Sequence, residues 1–373
     1  MARVRVLEGP RRGRRFRVEY YTPEGGHRSR TFPTRKQAEA FLHEVEAAKL
    51  RGTYRDPAVA KQALRDYLEA WLASAAHLRP ATRALYRRTA DRHVLPALGE
   101  RRLADLDRAA CRAFLADLSG RAGAATVEVA HRLLRRVLEE AVRDGILERN
   151  PAARLELPRS RPREARFLSA GEIQAIADEV PDRYRALVLL LGYGGLRVGE
   201  AAALTVRRLD LPRRRVQVVE AASEVEGRWV LGDTKTGRGR TVALPASVAE
   251  ALARHVERYT DGRPTSLVFT MEGGGPLRQN AFRKRVFQPA ARRAGIVPPP
   301  RVHDLRHSAV ALAIQAGAHP KLVQELAGHS SIRVTLDRYG HLFPAAHEQL
   351  AEALDRVARE AAEGGRVLPL GRR

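Results

Sequence analysis

Alternation governs the start of the chain. Val4 and Val6, then Phe16, Val18 and Tyr20, sit between polar neighbours with the two-residue period of half-buried strands. Pro23-Glu24-Gly25-Gly26 is a turn signal, and a third run follows through Ser29, Thr31 and Phe32. A small three-stranded sheet is predicted. Thr34 is placed to cap a helix in which Ala38, Phe41, Leu42 and Val45 recur at helical spacing.

Past a linker holding Gly52 and Pro57 the period becomes helical. Apolar positions at Leu64, Tyr67, Leu68 and Trp71, at Leu85 and Tyr86, at Cys111, Phe114 and Leu115, and through 127–142 predict a bundle of four or five helices over residues 59–157, with Asp107 as one cap. Asn150-Pro151 closes it, and an Arg- and Pro-rich stretch at 158–162 reads as a second linker.

Ser169-Ala170-Gly171-Glu172 is a capping box near the start of a third segment, residues 165–363. Helices are predicted through 187–191, 199–204, 249–259, 280–294, 305–316, 321–326 and 345–363, the last with Leu350, Leu354 and Val357 on one face. Strands are predicted at 216–220, 228–231 and 241–244, with the turn Thr236-Gly237-Arg238-Gly239 setting Lys235 near a hairpin tip. The expected fold is multi-domain and mainly α with small β-sheets. It comprises an α+β N-terminal domain (1–55), a helical bundle (59–157) and a mainly α domain with a small antiparallel sheet (165–363).

Charge narrows the class of partner. Lys and Arg number 67 against 43 Asp and Glu, a net +24, which suits a polyanion such as nucleic acid. A coding bias toward Arg explains which cation is used but not the excess. Arg12, Arg14 and Arg15 mark the first hairpin tip, and Arg83, Arg87 and Arg88 one helix of the bundle. Such runs are commonly solvated faces; beside a polyanion they become phosphate contacts. The single cysteine, Cys111, excludes a disulfide framework and a cysteine-ligated zinc site. No apolar run follows the first charges, and none reaches membrane-spanning length. A soluble protein of the reducing cytoplasm is expected.

The chemistry lies in five clusters. Gly195-Leu196-Arg197-Val198-Gly199-Glu200 and Asp233-Thr234-Lys235-Thr236-Gly237 precede His303-Asp304-Leu305-Arg306-His307, Gly328-His329-Ser330-Ser331 and Asp337-Arg338-Tyr339-Gly340-His341. Arginine presents a fork that fits phosphate. Histidine moves a proton near neutrality, and a tyrosine hydroxyl can form a covalent ester. Phosphoryl transfer with a tyrosine nucleophile is the chemistry these types suggest.

In this order the motifs resemble the tyrosine recombinases, in particular phage-type site-specific integrases. The resemblance implies a catalytic set of Arg197, Lys235, His303, Arg306, His329 and the nucleophile Tyr339. Arg197, Arg306 and His329 would neutralise the phosphorane, Lys235 would protonate the leaving 5′ oxygen, and His303 would take the tyrosine proton or orient the site. Glu200, His307 and His341 are expected in support. DNA would be cut and rejoined through a 3′-phosphotyrosyl bond that stores the energy, so no metal, nucleotide or other cofactor is expected. Residues 1–55 resemble an arm-type DNA-binding domain and residues 59–157 a core-binding domain. The implied partners are duplex DNA at core and arm sequences, three further copies of the chain in a homotetramer, and accessory DNA-bending or directionality proteins, in a nucleoid-associated cytoplasmic setting.

Other readings compete. His303 and His307 have the i, i+4 spacing of zinc ligands, but a metalloprotease places Glu where Asp304 stands. A chromosome-dimer resolvase or a type IB topoisomerase shares the chemistry, and the basic N-terminal segment argues instead for integration of a phage or other mobile element. A DNA-binding regulator on a vestigial fold would lack part of the set, and all six positions are present.

Overall fold

The computed structural model describes residues 3–7, 14–23, 25–52, 54, 56, 61–158, 165–234, 237, 239–343 and 346–362. The chain divides into two compact units, residues 1–162 and 163–373.

In the first unit, β1 (Arg3–Leu7), β2 (Arg15–Tyr21) and β3 (His27–Phe32) form an antiparallel meander, followed by α1 (Arg35–Leu50). Thr34 Oγ accepts the Gln37 N–H at 3.4 Å and starts that helix. Val18, Tyr20, Ala38 and Val45 are buried together with the inner edges of Phe16, Phe32 and Phe41. Strand alternation therefore turns the neighbours outward. Arg5, Arg17 and Thr31 lie in one cross-strand row on the face opposite that core.

The helical part holds α2 (Leu64–Ser74) and α3 (Pro80–Thr89), which runs through a π-helical turn (Ala90–Val94) into α4 (Leu95–Leu98). Next come α5 (Arg108–Arg121), with Asp107 accepting the Ala110 N–H at 2.7 Å, and α6 (Ala124–Arg143). Leu64, Leu68, Leu103, Leu118, Leu133, Leu134 and Leu138 are fully buried in its core. Helical spacing on each element points at the same centre, as the sequence predicts.

The second unit is built around α8 (Asp182–Gly194), which packs against α7 (Ala170–Glu179), α10 (Ala246–Tyr259) and α13 (Val302–Gln315). A helix covered on so many sides is apolar nearly all round, and Leu187, Val188, Leu190 and Leu191 are all buried. α9 (Val198–Ala202) follows, then β4 (Leu209–Asp210), β5 (Arg215–Val218), β6 (Glu220–Val225), β7 (Arg228–Asp233) and β8 (Arg240–Ala243). After α10 come α11 (Gln279–Ala281), a π-helical stretch (Phe282–Phe287), α12 (Gln288–Arg293) and α13. α14 (Pro320–Ala327), α15 (Ile332–Tyr339) and α16 (Ala346–Ala362) complete the order. On α16 Leu354 and Val357 are exposed, while the side chain of Leu350 lies outside the described residues.

The strands correct one expectation. β8 pairs with β5, and β5 with β4, whereas β7 pairs with β6 across a tight turn at Glu226 and Gly227, both at positive φ. Among the described residues β7 and β8 do not form the expected hairpin but belong to different sheets; Lys235 lies outside the described residues. Burial decides the partner: Val216 faces Val242 on the core side, and pairing with the exposed end of β7 would strand that apolar face in water. No helix among the described residues is long and apolar enough to cross a membrane.

Candidate active site

α13 carries the centre of the site. Its start is fixed by Asp304, whose carboxylate accepts the Arg301 backbone N–H at 2.7 Å and the Arg301 guanidinium at 2.6 Å. Asp304 is buried and Ser308 Oγ donates to its carbonyl at 2.7 Å. With the first turn held, positions 303, 306 and 307 fall on one helical face.

Arg306 is 3% exposed and donates one Nη to Gly195 O and the other to Ala327 O. Those carbonyls end the elements just before Arg197 and His329. Gly195 and Gly328 both adopt left-handed φ, 64° and 57°, which lets α8 and α14 stop just before Arg197 and His329. Burial, reinforced by Arg197, pushes the Arg306 guanidinium down to about 9, still cationic at neutral pH.

Arg197 occupies the N-cap of α9. Its Nη1 donates to Glu200 Oε1 at 2.7 Å, while Arg240 Nη2 donates to Glu200 Oε2 at 2.7 Å. Glu200 is buried, which alone would raise its pKa; Arg240 and Arg197 outweigh this and hold the carboxyl at about 2. Arg240 Nε also donates to Leu326 O at 3.2 Å. Gly199 is required for a different reason: a Cβ there would stand 2.5 Å from Ala222 O, where α9 lies against β6.

Tyr339 ends α15, 1% exposed, and its hydroxyl is 2.5 Å from His307 Nδ1. Burial raises the tyrosine, against the pull of Arg306 and Arg338, and burial together with Arg338 lowers His307 to about 4. Both groups are therefore neutral near pH 7, and a ring protonated on Nε2 accepts the hydroxyl's hydrogen bond at Nδ1. His329 stacks on the Tyr339 ring, centroids 6.1 Å apart and planes 11° apart, and its Nδ1 is hydrogen-bonded to the buried Thr335 Oγ1 at 2.9 Å. Burial and the positive charge of Arg306 lower His329 to about 4.

His303 stands exposed at the rim, its ring edge-on to His307 with centroids 4.7 Å apart. Partial burial and His307 hold it below its ordinary value. His341 is exposed past the end of α15, against the Phe167 ring at 6.3 Å. Thus Arg197, Arg306, His307, His329 and Tyr339 come together, His303 borders them, and Lys235 and Arg12 lie outside the described residues. Arg14, Arg15, Arg83 and Arg88 are exposed, whereas Arg87 reaches Glu69 at 2.6 Å. Arg240 and Asp304 were not singled out from sequence; the one signal for Arg240 is its place five residues after Lys235 on the same connection.

The comparisons agree with this geometry. The model of the phage integrase family matches residues 166–345, and that of the phage integrase central domain matches residues 62–157. The integrase of Mycobacterium phage L5 is 30% identical over 365 residues, covering 93% of this chain and 96% of its own. Tyrosine recombinase XerC of Mycobacterium bovis is 33% identical over 262 residues, covering 64% of this chain and 81% of its own. Among solved structures, the fold is shared with the Tn1549 transposon integrase in complex with a circular intermediate DNA, at TM-score 0.67 and 16% identity, covering 78% of this chain and 99% of that one. It is shared also with a lambda integrase tetramer bound to a Holliday junction, at TM-score 0.56 and 20% identity, covering 84% and 89%. The chain belongs to the phage integrase family: it is a tyrosine recombinase that breaks and rejoins DNA at specific sites.

Proposed function

We propose that Tyr339 attacks a DNA phosphodiester to give a 3′-phosphotyrosyl ester and a free 5′ hydroxyl, which a strand from the second duplex replaces in the reverse step. One observation carries this reading: the tyrosine hydroxyl, two arginines and two histidines from α9, α13, α15 and the turn after α14 converge on one buried spot. Arg197 and Arg306 grip the non-bridging oxygens as charge grows on them, with His329 Nε2 as a third donor. His303 at the rim orients the phosphate, and Lys235 protonates the leaving 5′ oxygen. The protein's own cations carry the charge, so the scheme calls for neither metal nor nucleotide.

The three segments divide the DNA between them. Residues 1–55 take arm sequences, through Arg12, Arg14 and Arg15 and through Arg5 and the half-buried Arg17 on the sheet face opposite the core. Residues 59–157 hold the core site with Arg83, Arg87 and Arg88, and residues 165–363 cut it. Two duplexes exchanging two strands each need four such sites, so the working species is a homotetramer, the state of the lambda integrase bound to a Holliday junction. The match to the phage L5 integrase covers 93% of the chain, whereas that to XerC covers 64%. This favours integration and excision of a mobile element over dimer resolution, with accessory bending or directionality proteins and a place on the nucleoid.

The test is a covalent-adduct assay with nicked duplexes tiled across the DNA flanking the coding sequence, quenched in detergent. A protein-DNA species that disappears in Tyr339→Phe, without metal or ATP, is expected. Tight binding with no adduct would sink the reading, and an adduct surviving the substitution would mean a different nucleophile.

A further inference from the structure

We infer that His307 is the group that takes the proton from the Tyr339 hydroxyl as that oxygen attacks phosphorus, an assignment that rests on Tyr339 being the nucleophile. The contact is direct: Nδ1 to Oη is 2.5 Å, with His307 5% exposed and Tyr339 1% exposed. His303, four residues earlier on α13, meets the edge of the His307 ring at the rim, and the histidine nitrogen bonded to the hydroxyl is that of His307. A water-filled gap therefore need not be bridged for transfer.

The step balances. The Oη–H bond breaks and its proton moves to the Nδ1 lone pair; the Oη pair forms the bond to phosphorus; the bond from phosphorus to the 5′ oxygen breaks and that oxygen takes a proton from Lys235. In rejoining, the imidazolium returns its proton to Oη. The groups acting on His307 are Arg338, Arg301 and Arg306, opposed by Asp304, with His303 at its edge. In the free protein they and burial keep the ring neutral, and so able to accept. A phosphodiester gripped by Arg197 and Arg306 adds negative charge beside it and raises its basicity at the moment of transfer.

The test compares single-turnover cleavage of the same tiled nicked duplexes by the wild type, His307→Asn, His307→Gln, His303→Asn and Tyr339→Phe. Asparagine leaves an oxygen near the Nδ1 position that accepts the hydroxyl's hydrogen bond but cannot take up its proton. His307→Asn is expected to bind DNA like the wild type in a gel shift, to cleave about 10²- to 10⁴-fold more slowly, and to lose the acidic limb of the pH–rate profile. A bridging 5′-phosphorothiolate, whose sulfur leaves without a proton, is expected to rescue Lys235→Ala and not His307→Asn. Cleavage by His307→Asn at or above the wild-type rate overturns the inference, the contact then being a resting latch. So does rescue by the phosphorothiolate, loss of the acidic limb in His303→Asn alone, or loss of folded structure by circular dichroism in both His307 variants. No adduct from the wild type, or one that survives Tyr339→Phe, is a separate failure, that of the nucleophile assignment.

Discussion

Arg240 Nη2 lies 2.7 Å from Glu200 Oε2, on the carboxylate whose other oxygen holds Arg197. The carboxylate is thus shared between a strand and the start of a helix, and Arg197 is kept from closing on it with both nitrogens. Arg240→Ala is expected to cost about 3 kcal/mol of stability, because the Glu200 charge stays buried with one partner fewer. It should also slow cleavage, as Arg197 collapses onto the carboxylate instead of facing phosphate. Arg240→Lys should recover stability in part. Urea unfolding and single-turnover rates on the three proteins check both effects; equal stability of Arg240→Ala and the wild type would refute the account.

Gly328→Ala probes the same joint from the other side. Its φ of 57° disfavours a side chain, and a Cβ would stand 2.8 Å from Arg240 Nη1, a group pinned by two acceptors. A loss of about 1–2 kcal/mol is expected, together with a lower cleavage rate because His329 follows directly. Thermal melts read the first and adduct formation the second. Unchanged melting would show that the guanidinium gives way freely.

Asp304→Ala removes the carboxylate that starts α13 and leaves Arg301 without its partner. About 1–2 kcal/mol is the expected cost, with a loss of activity larger than that at the exposed His341, since one misplaced turn shifts three side chains of the site at once. Asp304→Asn, still an acceptor, should lie between. A melting curve for Asp304→Ala that superimposes on the wild type would contradict this.

Acid should unfold the protein through two separable windows. His329, lowered to about 4 in the folded state from an ordinary 6.5, binds its proton more readily unfolded, so its contribution is full above pH 6.5 and lost as pH falls toward 4. Glu200, lowered from 4.5 to about 2, contributes above pH 4.5, by about 3 kcal/mol, and loses this as pH falls toward 2. The stability gap between the wild type and His329→Asn should narrow in the first window, and that with Glu200→Gln in the second. Unfolding free energies at stepped pH distinguish them, and parallel curves would exclude both.

The row formed by Arg5 and Arg17 makes a prediction about salt. Replacing both by alanine should weaken binding to arm DNA and reduce the slope of log affinity against log salt by roughly two phosphate contacts, while adduct formation on core DNA is kept. Fluorescence anisotropy at several salt concentrations measures the slope. An unchanged slope would take this face off the DNA.

Local chemistry was legible in the sequence. Thr34, Asp107 and Ser169 cap the helices they were expected to cap, because a cap depends on residues within one turn. The long-range choices were not. A turn-rich stretch at 236–239 looks like a hairpin tip, yet β8 goes to β5, since the buried face of Val216 and Val242 outweighs proximity in sequence. The role of Arg240 is invisible for the same reason: its partners, Glu200 and Leu326, are 40 and 86 residues away. His307 was expected only in support, because nothing in the motif says that α15 will return to lay a tyrosine against it.

Arg306 joins the backbone just ahead of Arg197 to the backbone just ahead of His329. The two loops consequently cannot drift apart or be tuned one at a time: a change of length in either moves the other through a single planar group. The spacing between Arg197 and His329 is then set by one buried side chain, so a single substitution at Arg306 unfastens both loops at once.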